Sequence, residues 1–342
     1  MLDDLKYTHQ RDASDALGIA EKQSEQLVHL FDVEFKPKQE ITNIVVSGMG
    51  GSAWPAEYLM TWPHVSLPME INRLYTASSY VNEKTLFIAS SYSGNTEETL
   101  SALDDAMAKN AQIVIMASGG KLMEIAKEKG FALYQIPSGA QPRMCSFYFI
   151  AALMQLLEPL GYIKSGSTQE LGEVANWLKT KISEWSPTIP TSANLAKKIA
   201  MELVGKAVIV YSGPLTAPAA HKWKICISET AKNLSWWNQY SELNHNEMTG
   251  WTGQPLQKPF AVVEIRSSLE NDRIKKRFEL SERMLSGRRP TPQIVSPEGD
   301  SAAQQLFWAS ALGDFVSIYL ALLNNVDPSP VDFQENFKTE LA

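Results

Sequence analysis

The sequence predicts an α/β protein built from two tandem doubly wound units, each a mainly parallel five-stranded sheet flanked by helices. Three observations carry this. Short β-branched or apolar runs alternate with segments of helical spacing along most of the chain, the pattern of parallel strands joined by helical crossovers. Turn-rich stretches at 158–168 and 186–192 flank one helical segment near 169–184 and divide the 342 residues into two units of ordinary domain size. A strand followed by a Gly/Ser turn and a helix occurs in both halves. The expected domains are therefore residues 1–157, a connecting segment 158–192, and residues 193–342.

In the first half, Ala16, Leu17, Ile19, Ala20, Leu27 and Leu30 have helical spacing and predict a leader helix over 11–31. Thr42–Val46 is a β-branched strand that runs into Ser47-Gly-Met-Gly-Gly-Ser52, with helical turns over Ala53–Met60. Strands follow at 68–72, 85–89, 112–117 and 131–136, with helices from Glu97 and over 121–129. Pro137–Arg143 then leads into a strongly apolar helix, Met144–Leu157. In the second half the order is helix 193–204, strand 207–211, loop Ser212–Thr216 and helix 218–233. A long loop, strand 260–265, helix 270–284, strand 293–295 and helix 301–324 complete it. The C-terminal segment predicts a helix with Ser329 as cap and Pro330 first. On it, Phe333, Phe337 and Leu341 form a stripe that packs down and projects Lys338 from its edge.

Two loops carry the chemistry. In the run Ser90–Thr99, which joins strand 85–89 to the first turn of the helix at Glu97, stand five Ser/Thr hydroxyls, Ser90, Ser91, Ser93, Thr96 and Thr99, with one Gly and no Lys or Arg. A helix N-terminus presents unpaired N–H groups and a positive dipole end, and hydroxyls add donors, so this is a cradle for a phosphate monoester. Capping alone, with Thr96 as N-cap, needs one hydroxyl. Gly48, Gly50 and Gly51 of the earlier loop permit close backbone approach to a ligand, and neighbouring parallel strands bring both turns to one carboxyl edge. The earlier loop is not a dinucleotide fingerprint, because Ala53 stands where GxGxxG needs its third glycine.

Composition narrows the partners. A net charge of −7 and the absence of a basic run argue against nucleic acid. Cys145 and Cys226 lie in apolar helical surroundings and suit buried thiols in a reducing compartment. The N-terminus has no basic and apolar leader pattern, Met144–Leu157 is too short to span a bilayer, and Leu306–Leu323 carries Asp314 at its centre. A soluble, cytoplasmic protein is expected. The five histidines form no HxH or HExxH spacing and the cysteines no CxxC, so neither a metal nor another cofactor is expected.

GMGGS followed about forty residues later by SYSGNTEET resembles the first half of the tandem sugar isomerase (SIS) proteins of the bifunctional phosphoglucose/phosphomannose isomerase family. The resemblance implies that Gly50, Gly51, Ser52, Ser91, Ser93 and Thr96 bind the phosphate of a sugar 6-phosphate. It also assigns Pro142-Arg143 the role of facing the reacting carbons, where a cation opposed to a helix dipole is otherwise disfavoured. Glu229 lies about 60° around its helix from Cys226, at the margin of the buried stripe, a position that suits either a surface carboxylate or a partly desolvated general base. The family pattern makes it the base, followed by Glu242-Leu-Asn-His-Asn246, in which His245 opens the sugar ring with Lys338. Where the family has Asn-Glu-Asn-Ala-Lys, this chain has Ser228-Glu229-Thr230-Ala231-Lys232.

The resemblance thus implies an aldose–ketose isomerase acting on glucose 6-phosphate and mannose 6-phosphate, as a homodimer with His245 contributed across the interface. The alternatives are a non-catalytic sugar-phosphate-binding regulator of the same fold and an isomerase of a related sugar phosphate. A glutamine-dependent hexosamine-phosphate synthase would need an N-terminal cysteine nucleophile domain.

Overall fold

The computed structural model describes residues 1–253 and 259–341. The chain forms two compact units, one of Gln23–Asn176 and one of Met1–Lys22 with Trp177–Ala342. The first 22 residues therefore go with the C-terminal half. They hold two short helices, α1 (Leu5–Arg11) and α2 (Ala16–Glu21), and α3 (Gln23–Gln26) follows, so the leader is broken where one helix was expected. Asp12 causes one break: its carboxylate accepts the N–H groups of Ala16 and Leu17 and caps a new start.

In the unit Gln23–Asn176, strands β1 (Asn43–Ser47), β2 (Met69–Asn72), β3 (Thr85–Ser91), β4 (Gln112–Ala117) and β5 (Ala132–Gln135) form a parallel sheet in the order β2-β1-β3-β4-β5. The strands are apolar along their length because helices cover both faces. The helices are α4 (Gly50–Ala53), α5 (Pro55–Thr61), α6 (Glu97–Ala108), α7 (Gly120–Lys129) and α8 (Ser146–Leu157). Val45, Phe87 and Ile115 of the sheet pack with Leu103 and Ala106 of α6 and Leu122 of α7. Full burial of one Leu or Phe contributes about 1.5–3 kcal/mol, so these contacts hold the start of α6 against the sheet edge. The register pairs Ser47 with Ala89 and Ser91 with Ala117, which brings the loops after β1, β3 and β4 out at one edge. The chain proceeds from β1 to one side and from β3 to the other, so these two loops flank the topological switch point.

Helix α9 (Ser167–Ile182) contains the boundary between the units, and α10 (Leu195–Leu203) precedes the second sheet. That sheet has β6 (Ala207–Ser212), β7 (Ser235–Gln239), β8 (Phe260–Ile265) and β9 (Gln293–Val295), all parallel, in the order β7-β6-β8-β9. It has four strands among the described residues where five were expected. Strand β7 lies inside the expected long loop, of which residues 254–258 fall outside the described residues. Helices α11 (Ala217–Glu229), α12 (Glu242–His245), α13 (Glu247–Gly250), α14 (Asp272–Met284), α15 (Ala302–Leu323) and α16 (Asp332–Leu341) complete the unit.

Helix α15 is the one described helix long and apolar enough to cross a membrane, and 94% of its apolar window is buried inside the protein. It packs against α10 and α11. Its Asp314 forms a buried ion pair with Lys222 of α11, and the Cys226 thiol donates to the same carboxylate at 3.2 Å. The Trp223 indole N–H donates to the Ala309 carbonyl at 2.7 Å.

The C-terminal helix departs from expectation. It begins at Asp332 and not at Pro330, and the Ser329 N–H is turned to Asp327 Oδ1 at 2.9 Å. Phe333, Phe337 and Leu341 do not pack down; they are 85%, 63% and 57% exposed. The stripe is amphipathic, but no surface among the described residues covers it.

Candidate active site

The GMGGS loop folds into the first turn of α4. Gly50 opens it at φ +47°, exposed at the mouth, while Gly51 and Ser52 are buried behind it. Gly51 is required by close approach, because a Cβ there would lie 3.0 Å from the Arg143 backbone nitrogen and Cα. The Arg143 turn, Pro142–Met144, is thereby seated directly on α4. Arg143 is 2% exposed, so it is not the surface residue that a proline turn suggests. It stands three residues before α8 and not at the helix start.

Three of the five hydroxyls after β3 form a cluster. Ser91 Oγ lies 2.7 Å from Thr96 Oγ1 and 3.5 Å from Ser93 Oγ. Thr96 is the N-cap of α6, yet its side chain makes no cap hydrogen bond; it turns to Ser91. The Gly94 N–H donates to Ser91 Oγ at 3.1 Å and the Asn95 N–H to Ser93 Oγ at 3.3 Å. Ser52 joins from the β1 loop, accepting the Tyr92 N–H at 3.0 Å. Ser90 is used internally, donating to the Ser52 carbonyl at 2.7 Å, and Thr99 is buried on α6. Ser52, Ser91, Ser93 and Thr96 are thus brought together beside the helix N-terminus, an arrangement of donors that suits a phosphate.

The second sheet has its own switch point between β6 and β8, and there the cradle is closed. Glu270 Oε1 accepts the Leu215 N–H at 2.8 Å, and the Thr216 amide lies beside this carboxyl. A Cβ at Gly213 would stand 2.1 Å from the same oxygen, so glycine is needed for the carboxylate to enter. Burial pushes the Glu270 carboxyl above its usual range, against the opposing pull of those two amides. The Glu270 carboxyl occupies this second cradle, so of the two switch points it is the first that offers its donors to a ligand.

The remaining site residues lie on the C-terminal unit. Glu229 is the last residue of α11, which ends four residues short of the expected 233, and it is half-buried. The Asn233 N–H donates to the Ile227 carbonyl, and its side-chain amide to that of Lys206, so this end of α11 sits at the N-terminal edge of β6. Lys232 Nζ donates to the Asp327 carbonyl at 2.6 Å, which joins the same end to the segment leading into α16. Lys338 on α16 is exposed and paired with Glu335 at 2.7 Å. His245 ends α12 at the opposite, C-terminal edge and is exposed. Its neighbour Asn244 donates to Ser281 Oγ at 2.9 Å and accepts from Arg277 at 3.1 Å, which pins α12 to α14. Within the C-terminal unit, Glu229 and His245 are not brought together. Among the described residues no group of three or more His, Cys, Asp or Glu side chains is placed to hold a metal ion.

Tyr92 and β7 were not expected from the sequence. Ser235-Trp-Trp-Asn-Gln239 carried a signal for the strand in its paired tryptophans, which favour β structure.

Residues 192–341 match the family model for the bacterial phospho-glucose isomerase C-terminal SIS domain. The chain is 37% identical to the bifunctional phosphoglucose/phosphomannose isomerase of Caldicellulosiruptor bescii, over 89% of this chain and 91% of that one. It is 33% identical to the protein of the same name from Aquifex aeolicus, over 87% and 90%. A crystal structure of a glucose-6-phosphate isomerase-like protein from Thermus thermophilus superposes with a TM-score of 0.63 at 18% identity, covering 99% of this chain and 98% of that one, which establishes the shared fold. With identity of this level sustained across nearly nine-tenths of both sequences, the chain belongs to the bifunctional phosphoglucose/phosphomannose isomerase family of SIS-fold proteins.

Proposed function

We propose that the protein is a sugar-phosphate isomerase that interconverts glucose 6-phosphate and mannose 6-phosphate with fructose 6-phosphate through a cis-enediol. The observation that carries this reading is the open hydroxyl cradle of Ser52, Ser91, Ser93 and Thr96 with the buried Arg143 turn packed against its first loop. The cradle takes the phosphate, and Arg143 stabilises negative charge developing on the enediol oxygens. Glu229 removes the proton from C2 and returns it to C1, while the C1 aldehyde of the open chain becomes the hydroxyl and the C2 hydroxyl the ketone. His245 with Lys338 opens the ring. Because glucose and mannose differ only at C2, rotation about C2–C3 before reprotonation lets one base serve both.

The separation of Glu229 and His245 supports a homodimer in which each site takes its His245 from the neighbouring chain. Cys145 and Cys226, both buried thiols outside any disulfide, suit a reducing compartment.

A coupled assay with glucose 6-phosphate, mannose 6-phosphate and neighbouring sugar phosphates tests the reading. Turnover of the first two is expected. Tight binding of fructose 6-phosphate with no turnover of any sugar would instead make the chain a sugar-phosphate-binding regulator, and turnover of a different sugar phosphate alone would trace to Ser228 and Thr230 beside the base.

A further inference from the structure

Tyr92 stands between the two cradle serines and contacts loops that follow three other strands. Its N–H donates to Ser52 Oγ after β1 at 3.0 Å. Its carbonyl accepts the Ser118 N–H at 2.9 Å and the Ser118 hydroxyl at 2.6 Å, after β4. Its phenol oxygen accepts the Ala140 N–H at 3.3 Å, after β5, and the Gly139 amide and the Cys145 thiol lie beside it. Ala140 and Cys145 flank the turn Pro142–Met144, whose middle residue is Arg143. The side chain therefore holds both ends of the turn that carries the buried cation, and its backbone is part of the loop that carries Ser91 and Ser93.

We propose that Tyr92 is a positioning residue that couples anion seating at Ser91 and Ser93 to the placement of Arg143. The inference rests on the isomerase reading above for its kinetic consequence. An anion that orders the 91–96 loop orders the Tyr92 backbone, and the phenol passes that order to residues 139–145 through its hydrogen bond from Ala140 and its contact with Cys145, one on each side of Arg143. Burial pushes the phenol up to about 12, so it keeps its proton throughout the neutral range. Small displacements of a charge-stabilising group are costly to the chemical step, whereas the phosphate cradle itself does not use the phenol.

The test is Tyr92→Phe, which keeps the ring and removes only the hydroxyl. In ligand-free protein the 137–145 segment should exchange its amide hydrogens about three- to tenfold faster, as loss of one or two neutral hydrogen bonds implies. Unchanged exchange there overturns the tether. Inorganic phosphate should slow exchange of both 91–96 and 137–145 in the parent, but only of 91–96 in the variant; an equal response of 137–145 in both overturns the coupling. With fructose 6-phosphate, kcat should fall about three- to tenfold while KM stays within about twofold; a change in KM alone, or none, overturns the link to Arg143. A parent that turns over neither sugar phosphate would sink the isomerase reading, and the exchange measurements would still decide the tether.

Discussion

Glu229 and His245 stand at opposite ends of strand β7, the first before its start at Ser235 and the second after its end at Gln239. Five residues of strand span about 16 Å, a spacing that favours a site completed by a second chain. If the two act on one substrate, two chains supply them. Mixing inactive Glu229→Gln with inactive His245→Ala should give heterodimers with one intact site of two, and so up to about half the parental activity. No recovery in isolated heterodimers would mean that each chain builds its site alone.

Glu229→Gln keeps size and polarity and removes the proposed base. We expect kcat to fall by ~10²–10⁴ for both glucose 6-phosphate and mannose 6-phosphate. Steady-state assays on the two sugars check this. Loss of one activity with the other intact would require separate bases and end the single-site mechanism.

Ser93→Ala with Thr96→Val removes two of the clustered hydroxyls and the 2.7 Å contact to Ser91. Because hydrogen bonds to charged groups contribute about 1.5–3 kcal/mol, KM should rise roughly tenfold or more with kcat little changed. Calorimetric binding of fructose 6-phosphate at parental affinity would remove these residues from the cradle.

Lys222→Met leaves Asp314 buried without its cation. Such a break costs about 3–5 kcal/mol, whereas the double variant Lys222→Met, Asp314→Leu should recover most of it. Burial lowers the pKa of Lys222, but Asp314 and Cys226 outweigh it and hold the ammonium above its usual range. A raised folded pKa means the stabilisation is complete below the ordinary lysine value and is lost as pH rises through the folded one. Denaturation at neutral pH should therefore show the full deficit of the single variant, and an equal midpoint for parent and Lys222→Met would refute the pair's role.

Helix α16 buries none of its described side chains within the chain. Ending the protein at Val331 should shift the thermal midpoint by only about 2 °C, as for changes at an exposed surface, and should lower kcat if Lys338 has its proposed role in ring opening. A large loss of stability would show that Phe333, Phe337 and Leu341 are covered in solution.

The sequence by itself determined the α/β class, the parallel-sheet architecture and the hydroxyl-rich turn after Ala89. Parallel strands covered on both faces are written as short continuous apolar runs, as in Leu86–Ala89 and Ile113–Met116, and the Gly/Ser turns that follow them are local chemistry. Family resemblance, and not spacing, singled out Glu229, His245 and Lys338. Edge strand β7 was hidden because alternation puts Ser235, Trp237 and Gln239 on one face and Trp236 and Asn238 on the other, so neither face is continuously apolar and only the paired tryptophans mark it. The apolar stripe of α16 was legible as a helix face, but periodicity reports which side is apolar and not whether a surface exists to receive it. Only the tertiary structure decided that Arg143 is buried on Gly51, that Glu270 fills the second cradle, and that Tyr92 reaches Ala140 across the sheet edge. Each of these joins residues dozens of positions apart, and such contacts are set by strand order and register, which no local window of sequence contains.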